Sequence, residues 1–396
     1  MSIPDIDREE SEDHGEIFID DSDIIQEINI DEEELPDADE QQGSDDEDIE
    51  EPDDSMHTFT GHTGEVYVVA CSPIDTTLVA TGGGDDKGFM WRIGRGDWAY
   101  ELQGHSDSVN SLAFSMDGQL LASGSFDGTV RVWDVASENL KFTLDGPDAG
   151  IEWVKWHPRG HLVLAGSEDK SVWMWNADKG SYLNMFAGHA STVTCGDFTP
   201  DGKTICTGSD DATLRIWNPK SGENIHVIEG HRYHTDGLTC LAISPDSSVI
   251  LTGSKDNNVH MVNILTGKVV GSLTAHQDSI ECVGFSLSGP WAATGSMDQK
   301  LIVWDLQHSV PRNTFLHEQG GVTCLAWLGA TRFIATGCAD GKVRVWDSLS
   351  DGETAVKTFN GHSDVVQALA ISASGDFLVS VAMDGTARVF EIDEFK

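Results

Sequence analysis

Apolar and polar positions alternate along residues 120–134, on either side of a short turn. Leu121 and Ser123 precede a Phe-Asp-Gly turn, and Val130 and Val132 follow it, with the period of two that marks a β-strand. The segment is therefore predicted to form a β-hairpin. It ends in Trp-Asp and follows a Gly-His pair, and this unit recurs along the chain.

The recurring unit can be followed by its closing residue. Eight closing residues succeed one another at intervals of 42 to 45 residues: Trp91, Trp133, Trp175, Trp217, Val262, Trp304, Trp346 and Phe390. An aspartate stands six residues before each of them: Asp85, Asp127, Asp169, Asp211, Asp256, Asp298, Asp340 and Asp384. A histidine precedes seven of the units: His62, His105, His189, His231, His276, His317 and His362. Eight copies of one unit predict a repeat architecture.

Over residues 55–396, this repeat with its Gly-His and Trp-Asp positions resembles the repeat of the WD-repeat family. The resemblance implies an all-β propeller in which each repeat forms a four-stranded blade. It also implies a hydrogen-bonded tetrad in regular blades, which falls on His105, Ser123, Asp127 and Trp133 in the second unit and on His189, Thr207, Asp211 and Trp217 in the fourth. Such a tetrad is physically sound, because a buried carboxylate must be hydrogen-bonded.

Three units depart from the pattern. The third has Asp-Gly-Pro in place of Gly-His and Ala165 in place of the hydroxyl, so its blade is expected to rely on aromatic packing. The fifth and eighth units end in Val262 and Phe390, which lack the indole donor.

Eight units predict eight blades, and seven blades with a stray unit are the alternative. Six residues follow Phe390, too few for an outer strand. The run from residue 56 to 60 matches the outer-strand run at 357–360. We therefore expect the N-terminal strand to complete the last blade and close the ring.

Charge is concentrated at the N-terminus. Residues 1–54 hold 26 acidic residues and one arginine, so they carry −25 of the formal net charge of −43, and the remainder carries −18. Low hydrophobicity with one sign of charge predicts a disordered acidic tail. The negative electrostatic field of the chain disfavours binding to nucleic acid and attracts basic partners. The sequence shows no apolar signal peptide and no membrane-spanning segment, so we expect a cytoplasmic protein. Nuclear entry and the oligomeric state are left open.

An enzyme is not expected. Near-copies of a His-Ser/Thr-Asp set in most units indicate a structural motif rather than one active site. No phosphate-loop spacing and no metal spacing of His and Cys occurs, so no cofactor or metal is predicted. The seven cysteines are interpreted as small core residues in a reducing compartment.

The remaining candidate is a binding surface. In the WD-repeat family, variable positions on one face lie just before the tetrad aspartate and near the start of each inner strand. On this chain they give a predicted peptide face of acids with apolar anchors: Glu65, Tyr67, Phe126, Glu152, Glu168, Asp210, Glu281, Met297 and Met383. Carboxylates beside apolar anchors suit a peptide rich in Arg and Lys.

The layout as a whole is similar to the angio-associated migratory cell protein family, which resembles a fungal WD-repeat chaperone of a large-subunit ribosomal protein. This implies a non-enzymatic scaffold, a dedicated chaperone for a basic ribosomal protein in large-subunit assembly. A substrate receptor of a cullin-type ubiquitin ligase and a signalling scaffold are the alternatives. The receptor box Trp-Asp-x-Arg/Lys is approached only at residues 217–220, and residues 1–54 lack the heptads of a G-protein β-like scaffold.

Overall fold

The computed structural model describes residues 52–96, 98–350, 352 and 354–396. The predicted disordered tail, residues 1–54, falls almost wholly outside the described residues and stays a prediction. Its last residues, Pro52 to Asp54, are described. Asp53 is paired with Arg388, and the amide of Asp54 donates to the carbonyl of Asn360 at 3.0 Å.

Thirty-two strands form eight antiparallel sheets of four strands in the described part of the chain. Strands of the first four blades, β2 to β17, are Val66–Cys71, Leu78–Gly83, Gly88–Arg92, Ala99–Leu102, Val109–Phe114, Leu120–Ser125, Val130–Asp134, Asn139–Leu144, Ile151–Trp156, Leu162–Ser167, Ser171–Asn176, Ser181–Ala187, Cys195–Phe198, Ile205–Gly208, Leu214–Trp217 and Asn224–Ile228. In these four blades each sheet takes four consecutive strands, because alternating apolar runs joined by tight turns pair with their neighbours in sequence.

Blades 5 to 8 continue the same order. Their strands, β18 to β32, are Leu238–Ile243, Val249–Ser254, Val259–Asn263, Lys268–Leu273, Ile280–Phe285, Trp291–Ser296, Lys300–Asp305, Val310–Leu316, Val322–Trp327, Phe333–Cys338, Val343–Asp347, Lys357–Phe359, Val366–Ile371, Phe377–Ala382 and Ala387–Glu391. A 3₁₀-helix, Asp393–Phe395, follows the last strand. No helix among the described residues is long and apolar enough to cross a membrane.

The outer strand of blade 8 comes from the other end of the chain. Strand β1, His57–Phe59, pairs antiparallel with β32, with Phe59 opposite Ala387. Phe59 is buried and stacks on Trp91 of blade 1, with ring centroids 5.0 Å apart. One short strand therefore completes blade 8 and packs against the blade that follows it in the ring.

The core consists of apolar layers between neighbouring blades. The inner strands contact one another around the whole ring, including the pair β30 and β2 that joins the last blade to the first. Tryptophans that close the units, such as Trp133 and Trp217, are almost fully buried in these layers. The all-β, eight-bladed prediction is confirmed, and the seven-blade alternative is wrong.

Candidate binding face of the propeller

The tetrads fix the loops on one face of the ring. In blade 2, Nδ1 of His105 lies 2.9 Å from a carboxylate oxygen of Asp127, and Nε2 lies 2.8 Å from the hydroxyl of Ser123. The same hydroxyl accepts from the indole of Trp133 at 3.0 Å. This series of hydrogen bonds links a loop, a turn and two strands, so the turn that carries Asp127 is held rigidly.

Blade 4 repeats this arrangement. His189 lies 3.1 Å from Asp211 and 2.8 Å from Thr207, and Trp217 donates to Thr207 at 2.8 Å. Burial raises the pKa of Asp211, but hydrogen bonds from His189 and Thr213 outweigh it and hold the pKa below its ordinary value. Because this pKa is lowered on folding, its contribution to stability is present above the ordinary value and is lost as the pH falls. Full tetrads also occur in blades 1 and 6.

Blade 5 keeps its tetrad by a substitution that the sequence analysis missed. The histidine in the tetrad is His234, 3.1 Å from Asp256 and 2.9 Å from Thr252, and not His231, which is exposed. The buried hydroxyl of Tyr233 donates to Thr252 at 2.9 Å, in place of the indole that Val262 lacks. The three extra residues of this unit therefore supply the missing donor from the loop.

Blade 7 is rewired. His317 turns its Nδ1 toward the thiol of Cys338 at 3.1 Å, and its Nε2 has no hydrogen-bond partner among the described residues. Asp340 is instead held by Arg344, with the closest nitrogen and oxygen 2.6 Å apart. Burial, with Arg344 adding to it, lowers the pKa of His317 to about 3, so this histidine is neutral at physiological pH.

Blade 3 has no tetrad, and aromatic groups tie it to its neighbours. The indole of Trp156 donates to the carbonyl of Ala113 in blade 2 at 2.7 Å, and the indole of Trp153 donates to that of Val193 in blade 4 at 2.9 Å. In blade 8, His362 contacts both Asp384 and Ser380, but Phe390 offers no donor.

The nine residues of the predicted peptide face all lie on the loops and strand starts at the end of the ring where the tetrads lie, although Glu152 and Glu168 belong to blade 3, which has no tetrad. Glu65 precedes β2 and accepts a hydrogen bond from the Tyr67 hydroxyl at 3.2 Å. Burial and Glu65 raise the pKa of Tyr67. Three apolar members stand partly exposed on the turns before their aspartates: Phe126 at 38%, Met297 at 41% and Met383 at 39%.

The structure couples three of the predicted acids. Burial raises the pKa of Glu152, and the charges of Glu168 and Asp210 raise it further. We call Glu152, Glu168 and Asp210 the acidic cluster. Its three carboxylates repel one another, a condition that an added cation relieves.

An apolar anchor stands beside the acidic cluster. A side chain at Gly150 would meet Phe126 at 2.7 Å and a carboxylate oxygen of Glu168 at 3.0 Å, so the glycine lets these two groups approach. On the other side, Lys255 binds Asp210 with a nitrogen to oxygen distance of 2.8 Å. Asp210, Asp236 and Glu281 raise the pKa of Lys255. The sequence analysis missed Lys255 as the cation that partly neutralises the cluster.

The face offers binding chemistry. Among the residues that the structure describes, no group of three or more His, Cys, Asp or Glu is arranged to hold a metal ion. The tetrad histidines and aspartates are engaged in holding turns to strands. What the face presents to solvent is carboxylates with apolar side chains between them, on a rigid ring. The fold and this face define a propeller that serves as a binding scaffold.

Comparison with known proteins agrees with this class. Eight segments match the WD domain, G-beta repeat: residues 53–92, 96–134, 138–176, 180–218, 222–263, 267–305, 309–347 and 353–391. The chain belongs to the WD-repeat family.

Two relatives share short segments. The angio-associated migratory cell protein of Homo sapiens is 46% identical over 69 residues, which is 17% of this chain and 16% of that protein. An uncharacterized WD repeat-containing protein of Schizosaccharomyces pombe is 32% identical over 118 residues, 28% of this chain and 29% of that protein. The matched segments thus span less than a third of either relative.

Solved structures match over most of the ring. Sqt1 of Chaetomium thermophilum, bound to the N-terminus of the ribosomal protein L10, superposes with a TM-score of 0.80 at 26% identity, covering 86% of this chain and 100% of that chain. Sqt1 of Saccharomyces cerevisiae gives a TM-score of 0.79 at 23% identity, with 86% and 100% covered, and this second likeness shows the fold alone.

Proposed function

We propose that this chain is a dedicated cytoplasmic chaperone for a basic ribosomal protein in large-subunit assembly, an L10-type client held by its N-terminal segment. The observation that carries the proposal is the acidic cluster on the peptide face. The likeness to Sqt1, solved with the N-terminus of L10, supports the choice of client.

The chemistry of the acidic cluster suits arginine. The raised pKa of Glu152 reflects burial together with the negative charges of Glu168 and Asp210, so the three carboxylates of the cluster repel one another. A guanidinium group placed there would donate to the carboxylate oxygens in a planar, bidentate geometry. Binding would then lower the pKa of Glu152 and relieve the repulsion among the three acids.

Apolar anchors make the site more than a charged rim. Phe126 lies next to Glu168, across Gly150, and a client side chain stacked on Phe126 would bring its neighbouring Arg or Lys to the cluster. Masking such a segment would keep a free ribosomal protein from binding RNA promiscuously, since Lys and Arg contacts to phosphate dominate that affinity.

Charge reversal tests the proposal. The variant Glu152→Lys, Glu168→Lys, Asp210→Lys is titrated with the N-terminal peptide of L10 by calorimetry, at low and moderate salt. We expect affinity to fall by at least about 100-fold, because the client's cations would lose three carboxylate partners and meet like charges instead, and such like-charge contacts cost several kcal/mol.

The matched control carries the same change of charge on the opposite face. Glu391, Asp393 and Glu394 are exposed and lie at the far end of blade 8, and their reversal to Lys should leave affinity within about threefold. Equal loss in both variants would reduce the effect to net charge, and no loss in the first would remove the acidic cluster from the site. Capture of ligase adaptor subunits equally by both variants would favour the ubiquitin-ligase receptor instead.

A further inference from the structure

The outer strands of neighbouring blades are sealed by a recurring contact. In several blades, the residue that follows a β-bulge in the outer strand contacts the turn between the third and fourth strands of the next blade. It thereby fills the gap between the two blades, which we call the seam. Phe142 packs against Gly180, the Asn184 amide packs against Gly222, and Nε2 of His226 donates to the carbonyl of Leu265 at 2.9 Å. In blade 6 the Asn313 amide donates to the carbonyl of Ser350.

Blade 5 has a glycine at this position. Strand β21 bulges at Val270, between the pairs that Val262 and Met261 make, and Gly271 follows. Residue 271 itself contributes no side chain to the seam between blades 5 and 6; the Met261 methyl and the Ser309 hydroxyl lie against Gly271, and a cavity of about 750 Å³ remains. We call it the seam pocket. The loops that line the seam pocket connect the first strand of a blade to the second, or the third strand to the fourth. The pocket therefore lies on the side of the ring away from the tetrad loops.

The seam pocket is lined by apolar and polar side chains. The long apolar ones are Val249, Met261, Val270, Phe285, Leu287 and Leu306, and five serines, two prolines, Asp246 and Gln307 stand beside them. Val270 is 57% exposed and Leu287 is 61% exposed, which leaves apolar surface uncovered at the mouth. A volume of several hundred cubic ångström with such walls is typical of a binding pocket.

One charge stands at the rim. Oδ1 of Asp246 accepts hydrogen bonds from the hydroxyls of Ser244 and Ser248, at 2.6 and 2.7 Å. Its Oδ2 accepts no hydrogen bond from the described residues, and no Lys or Arg is among the described residues that line the pocket. The rim therefore complements a positive charge.

We propose that the seam pocket is a second binding site, which takes one bulky apolar side chain of a partner protein flanked by Arg or Lys. The apolar walls hold the side chain, and the free oxygen of Asp246 pairs with the flanking cation. The net negative charge of the ring favours the same partner over an acidic one. Since the pocket faces away from the peptide face, a partner here and a client there would not compete for contacts.

Methionine methyl groups report on the two sites separately. Met261 lies against Gly271 in the pocket, whereas Met297 and Met383 belong to the peptide face. The full chain, labelled with ¹³C at the methionine methyls, is titrated with the peptide Gly-Arg-Phe-Arg-Gly. We expect saturable movement of the Met261 resonance, and binding at least about tenfold weaker for Gly-Arg-Ser-Arg-Gly, because burying a Phe side chain is worth about 1.5–3 kcal/mol.

Two variants decide the outcome. Gly271→Asn places in blade 5 the residue type found at this position in blades 3 and 6. Its Cβ would collide with the Met261 methyl, so that flexible side chain must move aside, and the substitution should abolish the saturable response to the peptide. Leu287→Ser alters only an exposed wall and should weaken binding severalfold, so the test survives if the first variant misfolds. An unmoved Met261, an equal response to Gly-Glu-Phe-Glu-Gly, or an unchanged response in both variants would overturn the proposal.

Discussion

Replacing Phe59 by Ala should destabilise the closed ring by about 3–5 kcal/mol, the usual cost of deleting a buried phenylalanine. Phe59 is only 2% exposed, stacks on Trp91 at 5.0 Å with ring planes 8° apart, and lies 5.6 Å from Phe89. The substitution removes these contacts but leaves the backbone pairing of β1 with β32. Deleting residues 1–60 removes both and should cost more.

The assay is urea unfolding followed by tryptophan fluorescence, to which Trp91 contributes directly. The control is deletion of residues 1–51, which keeps Asp53, Asp54 and β1 and should unfold at the midpoint of the full chain. If the two truncations had the same midpoint, or if the Phe59→Ala change cost less than about 1 kcal/mol, β1 would not be what holds the ring closed.

Three further results are expected. Tyr233→Phe should lower the free energy of unfolding by about 1 kcal/mol, the net worth of one buried hydrogen bond, whereas His231→Ala should leave it within about 0.5 kcal/mol in the same urea titration. Arg344→Met should cost about 3 kcal/mol or more, since it leaves the Asp340 carboxylate without its ion pair, and a melting curve like that of the wild type would contradict this. Glu152→Gln should stabilise the ring at pH 7.5 while weakening client binding. Because the folded state raises the pKa of Glu152, the ionised group opposes folding above that pKa, so the difference between variant and wild type should shrink as the pH falls; a constant difference would exclude this cause.

The repeat pattern predicted the blades because periodic spacing repeats the same local hairpin chemistry eight times. The closing residues mark the third strand of each blade, and their eight copies match the eight sheets. Where a unit kept its spacing, the predicted residues also fell at the expected contacts, as His105 and Asp127 do at 2.9 Å.

Substitutions across strands were harder to foresee. In blade 5 the tetrad histidine lies 22 residues before its aspartate, as in blade 2, and His231 stands at the wrong distance. That spacing was a usable signal for His234. No spacing in the sequence indicated that the Tyr233 hydroxyl would replace an indole from another strand.

Blade 7 and the acidic cluster show a second limit. Arg131 and Arg344 occupy the same position in their units, yet Arg131 donates to backbone carbonyls and Arg344 binds Asp340. Both arginines lie on the third strand of their blades, and they differ because His105 already holds Asp127 whereas His317 turns to Cys338 and leaves Asp340 to the arginine. The neutralising role of Lys255 likewise depends on a contact between blades 4 and 5, which repeat spacing does not encode.

The pairing of the first strand with the last has a consequence for the order of events during synthesis. The ion pair between Asp53 and Arg388 joins residues 335 positions apart. Seven blades can form one after another as the chain emerges, but Phe59 has no sheet to join until β32 exists. Until then the apolar side of blade 1 stays uncovered, so the nascent propeller spends most of its synthesis as an open arc exposed to association with other chains.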